Sequence, residues 1–63
     1  MTQFVIFHSA EWHPMAMTIS YNDGVTICTA LSLSNPGHVY ILATEENGAV
    51  GSSLNGDYEI SGK

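Results

Sequence analysis

The sequence predicts an all-β fold: a small antiparallel meander of five or six strands, strongly curved or closing as an SH3-like or OB-like barrel. Three observations support this. All four asparagines fall in turn tokens, Asn22-Asp23-Gly24, Asn35-Pro36-Gly37, Asn47-Gly48 and Asn55-Gly56, where Asn tolerates positive φ and Gly adopts it freely. The runs between these tokens are rich in Val, Ile, Thr, Tyr and Phe, which suit strands. No window shows a clear helical period of apolar residues.

Taken in order, strands are expected near 2–8, 15–21, 25–33, 38–44, 49–54 and 57–61. The first contains the apolar run Phe4-Val5-Ile6-Phe7. The linker His8-Ser9-Ala10-Glu11-Trp12-His13-Pro14 follows, with Ser9 placed to cap a single helical turn that Pro14 ends. Strands 15–21 and 25–33 are read as a hairpin. Met15, Met17, Ile19 and Tyr21 alternate with small residues, as do Val25, Ile27, Leu31 and Leu33. A three-residue loop with Gly24 in the left-handed region pairs Tyr21 with Val25 and lets the bulky faces coincide. Val39-Tyr40-Ile41-Leu42-Ala43 is apolar on both faces, the pattern of a central strand covered on both sides. The final hairpin turns at Asn55-Gly56. Its first strand holds Ala49, Gly51, Ser52 and Ser53, small residues compatible with a bulge.

With 63 residues, the chain is read as a single small β domain over 1–63. A core of this size is marginal. The lone Cys28 excludes an internal disulfide framework and the zinc modules built on several thiolates. Oligomerisation is the expected source of added stability.

Charge narrows the functional classes. Six acidic residues face one basic residue, Lys63, for a net charge of −5. Nucleic-acid binding draws its affinity from cations on phosphates, and attachment to an anionic membrane needs the same cations. Neither nucleic acid nor a membrane is expected as a partner. The expected partners are the chain itself, as a dimer or higher oligomer, and another protein. The apolar run at the N-terminus is too short for a signal peptide or a membrane span. A cytoplasmic location or a place in a virion is therefore expected.

Four sets of residues are candidates for function. His8, Glu11, His13 and His38 converge at one end of a meander and suit zinc or nickel. Thr18, Cys28 and Ala30 belong to an uncharged face of small residues. From Trp12 to Thr44 the only formally charged side chain is Asp23. A sheet surface without charges invites strand or sheet association, so this face, with Trp12 and Tyr40, is the expected interaction surface. Glu45 and Glu46 form an acidic pair suited to a basic protein. Catalysis by a His–carboxylate pair or by Cys28 is not expected. A chain of this size leaves little room for a pocket of ~300 Å³ beside its core.

The expectation is a small, acidic, non-enzymatic protein-interaction module acting as a homo-oligomer, with no cofactor. Its size is that of inhibitor or accessory proteins of phages and mobile elements, an analogy and no more. The alternatives are a divalent-metal site at the histidines, or a structural subunit of a larger assembly.

Overall fold

Apolar residues two apart along Phe4–His8 and Val39–Thr44 build a sheet, and a helix of small residues between them covers one side of it. The computed structural model describes residues 2–61. Strand β1 (Phe4–His8) pairs antiparallel with β2 (His13–Thr18), the helix α1 (Tyr21–Ser34) follows, and β3 (Val39–Thr44), β4 (Gly48–Leu54) and β5 (Asp57–Ile60) complete the sheet. The strand order is β2-β1-β3-β4-β5, with every neighbouring pair antiparallel. The fold is mostly β, as the sequence predicts. The sheet is open rather than closed into a barrel.

The last three strands follow the expected bounds closely. Asn55 (φ 57°) and Gly56 (φ 89°) occupy the left-handed region, so Leu54 and Asp57 pair across a two-residue turn. The expected bulge is in β4: Leu42 pairs with Gly51 and Ala43 with Ala49, leaving Val50 as the extra residue. The linker before β2 is a single turn closed by the Trp12 N–H donating to the His8 carbonyl (2.7 Å). Pro14 lies inside β2 and does not end a helical turn.

The expected hairpin over 15–21 and 25–33 is overturned. Residues Tyr21–Ser34 form a helix, and Asn22-Asp23-Gly24 is its first turn. Ser20 is the N-cap, its Oγ accepting a long hydrogen bond from the Asp23 N–H (3.4 Å), and Asp23 places an acid in the first turn. This is the Ser-x-x-acid signature of a helix start. Periodicity fails to reveal the helix because its buried residues, Gly24, Cys28 and Ser32, are small or polar. They recur every fourth position and share a face.

That small face sets how closely the helix approaches the sheet. A Cβ on Gly24 would lie 2.8 Å from Leu42 Cδ1, so Leu42 fills the space a side chain would need. Cys28 is buried beside it, its thiol donating to the Tyr40 carbonyl (3.0 Å). The core is Ile6, Cys28, Tyr40 and Leu42, with Phe4, Ala16, Val25, Leu31, Val50 and Tyr58 among the residues packed around it. Tyr21 closes one end, its ring edge-on to both Phe4 (5.8 Å) and Tyr58 (6.3 Å).

Ser32 secures the other end. Its hydroxyl donates to the Thr29 carbonyl (2.9 Å), lies 2.7 Å from Ser53 Oγ and accepts from the Gly56 N–H (2.8 Å). With its proton on Thr29 it accepts from Ser53 and Gly56, which uses its full hydrogen-bonding capacity. Helix, β4 and the last turn are thereby joined at one oxygen.

Ser32→Ala removes that oxygen and leaves the Gly56 N–H and the Ser53 hydroxyl without their partner. A loss of about 1–3 kcal/mol in unfolding free energy is expected, measured by urea denaturation. A loss under about 0.5 kcal/mol is the size of an ordinary surface substitution and counts against this role.

Candidate functional site

Residues alternate across a strand, and the helix takes one face of the sheet. Ile6, Tyr40 and Leu42 point to it. Their neighbours point the other way. Val5 pairs with Met17 and Ala43, Phe7 with Ile41, and Val39 with Leu54. In β1–β2 the register shifts so that Ile6 faces Ala16 and Phe7 faces Pro14, leaving Met15 as the extra residue. The result is a second sheet face that is apolar across β2, β1 and β3. No element among the described residues packs on it. Met17 is 60% and Leu54 44% exposed, and Val5, Phe7 and Ile41 are half-buried.

Trp12 stands at one margin of this face, 63% exposed, its ring 6.0 Å from that of Phe7. Two depressions mark the surface. One, of about 370 Å³, lies between the start of β1 and the end of β3 and is lined by Val5, Phe7, Ala43, Glu45 and Glu46 among others. Thr2 donates a hydrogen bond to Glu46 at its rim (3.0 Å). The other, of about 240 Å³, lies toward the opposite end and the β5 side, lined by Val39, Ser52, Leu54, Asn55, Asp57 and Glu59. Both are lined by apolar and polar residues together, and both carry a pair of carboxylates.

The residues expected to form one interaction surface are divided by the fold. Cys28 is fully buried and Tyr40 is 3% exposed, both in the core. Ala30 is exposed on the outside of the helix, and Thr18 is half-buried at the end of β2, where its hydroxyl accepts from the Ser20 N–H (3.3 Å). The uncharged face of small residues does not exist as one surface, because the helix turns Cys28 and Ser32 inward and leaves Thr26 and Ala30 outside. Trp12, Glu45 and Glu46 are exposed, and all three border the open face. Met15, Met17, Val5, Phe7 and Ile41 escaped the sequence reading, although the two-sided apolar pattern of β3 pointed to a second covering layer.

The histidines are partly united. His8 Nε2 and His38 Nδ1 are 2.8 Å apart, one ring donating and the other accepting, and His8 also packs against Tyr40 (5.2 Å between ring centroids). His13 faces His8 in the β1–β2 register, while Glu11 is exposed in the turn. Among the described residues, no group of three or more His, Cys, Asp or Glu side chains is close enough to hold a metal ion. No helix among them is long and apolar enough to cross a membrane. Comparison with protein-family models, curated proteins and solved structures finds no match to this chain.

Burial pushes the Cys28 thiol from 9.0 up to about 11, with a backbone hydrogen bond from Ser53 acting the other way. A thiol held in this way is a weak nucleophile. The unfolded chain releases the proton at lower pH than the folded one. The thiol's contribution to stability is therefore complete below about pH 9 and is lost as pH rises toward 11. Tyr58, also raised by burial, acts in the same direction at higher pH. The urea midpoint of the wild type should fall between about pH 8 and 10.5, and that of Cys28→Ala should fall less steeply. Parallel slopes would show that the thiol does not titrate with folding.

Proposed function

We propose that this chain is a small, acidic, non-enzymatic protein-interaction module that works as a homo-oligomer. One observation carries the reading: the two edges of the sheet are treated differently. Edge strands expose free backbone donors and acceptors, and charged side chains usually guard them. At one edge, β5 has Asp57 and Glu59 among its four residues. At the other, β2 (His13-Pro14-Met15-Ala16-Met17-Thr18) carries no formal charge and is largely exposed.

An antiparallel pairing of β2 with β2 of a second copy joins two sheets into one. It is a closed two-fold contact that places no formal charge against another. Met15 and Met17 of both copies then meet near the axis and lose exposed apolar area, which supplies stability that a short chain cannot draw from its own core. A closed pair also separates this reading from a structural subunit, which would grow without limit.

Native mass measurement and light scattering at tens of micromolar should give a dimer. Met17→Lys sets two like charges close together near the axis and should weaken association by about tenfold or more. A wild-type monomer throughout that range would end the self-association reading.

The 2.8 Å approach of His8 to His38 favours a second reading, a divalent-metal site with zinc or nickel at its centre. Two imidazoles are half of a tetrahedral set, and His13 and Glu11 are the nearest further donors in the sequence. Zinc titration of the wild type against His8→Ala and His38→Ala is the test. A tenfold or greater loss of affinity, roughly, supports the site, and equal affinity in all three proteins ends it.

A further inference from the structure

Strands apolar on both faces are normally covered on both faces. β1 and β3 have that pattern, and the described residues cover only one side of them. Pairing at β2 leaves the other side open, so the cover has to come from elsewhere. The arrangement of charge says what kind of cover fits.

The depression with Glu45 and Glu46 and the depression with Asp57 and Glu59 lie at the two ends of a diagonal across the open face. The diagonal passes over Ile41 on β3 and its partner Ser52 on β4, with Ala43 at one end and Val39 and Leu54 at the other. It crosses about two strand spacings and roughly four residues of strand length, about 16 Å in all. That is about three turns of an α-helix. None of the described residues is Lys or Arg, so no described side chain of either type stands beside these acids.

A second copy stacked with its strands aligned is a poor cover for this face. Such sheets lie about 10 Å apart. A two-fold axis along the strands would set the Glu45-Glu46 end of one copy over the same end of the other. An axis across the strands would set β5 over β5, with Asp57 and Glu59 opposed. Either way carboxylates meet within about a Debye length.

We infer that the open face docks an amphipathic α-helix of another protein, its apolar stripe along Ala43, Ile41 and Leu54 with Phe7 at its flank, and its lysines or arginines over the two acidic ends. Apolar burial supplies the affinity and the paired charges fix the line the helix takes across the sheet. The inference uses a different surface from the β2 edge and does not rest on dimer formation. Loss of the dimer and loss of helix binding are read in separate experiments.

The test uses two synthetic helical peptides free of tryptophan, with the same Leu/Ala stripe and either Lys or Glu at both ends. Each is titrated against the full chain while the emission of Trp12, the single tryptophan, is followed. The Lys peptide should shift Trp12 emission to the blue and bind about tenfold or more tightly than the Glu peptide at low salt. Substituting Glu45, Glu46, Asp57 and Glu59 together by their amides should erase that preference. Ile41→Lys should abolish binding, and Ala30→Lys on the outer side of the helix should leave it unchanged. If Ile41→Lys prevents folding, Leu54→Glu on the exposed margin serves in its place. Equal binding of the two peptides, binding of neither, or association that Ile41→Lys abolishes and Met17→Lys does not would each overturn the inference, the last by identifying a second copy as the cover.

Discussion

The structure depends on how near the helix can come to the sheet. Gly24, Cys28 and Ser32 lie on one side of α1, and none has a side chain large enough to hold the two layers apart. Leu42 enters the space left at Gly24, the Cys28 thiol reaches the Tyr40 carbonyl, and Ser32 reaches Ser53 and Gly56. A larger residue at any of these positions would lift the helix and break several contacts at once. Close approach gives a short chain a dense core from few residues. It also concentrates the core on one side of the sheet. The other side is left with ordinary apolar residues that no other described residue covers.

Much of the fold can be read from the sequence, and the part that cannot has a definite cause. The turns at Asn47-Gly48 and Asn55-Gly56 are legible because positive φ restricts residue choice so strongly. Asn22-Asp23-Gly24 uses the same residue types for other reasons. Asp23 sits in the first turn of a helix, and Gly24 is there for want of a Cβ rather than for a left-handed conformation. Val25, Ile27 and Leu31, read as alternate strand residues, also lie on the core side of a helix once the backbone turns. The capping pattern from Ser20 to Asp23 was the local signal that distinguished the two.

The candidate site was legible only in outline. Trp12, Glu45 and Glu46 are exposed at the border of the open face, while Cys28 and Tyr40 serve the core. The decisive information was in β3, whose apolar residues on both faces implied two covering layers. The described residues supply one of them. Absence of charge between Trp12 and Thr44 likewise had two origins that sequence alone does not separate. Part of it belongs to a buried helix face, and part to the unguarded edge at β2.

The position of β1 has a further consequence, for the order in which the fold is built. β3, β4 and β5 form a meander of neighbours in sequence, with closures across short turns. β1 can pair locally with β2 on one side, but on the other Phe4 must find Thr44 and His8 must find Tyr40. Those contacts enclose the helix and both of its connections, so their chain-entropy cost is met only when α1 has found its seat. Loop-closure entropy thus sets the centre of the sheet among the last parts expected to close, after the β1–β2 hairpin and the β3–β4–β5 meander on either side of it. Until they join, the residues of β1 and β3 are exposed on both faces. In that interval the nascent chain resembles an adhesive more than a module.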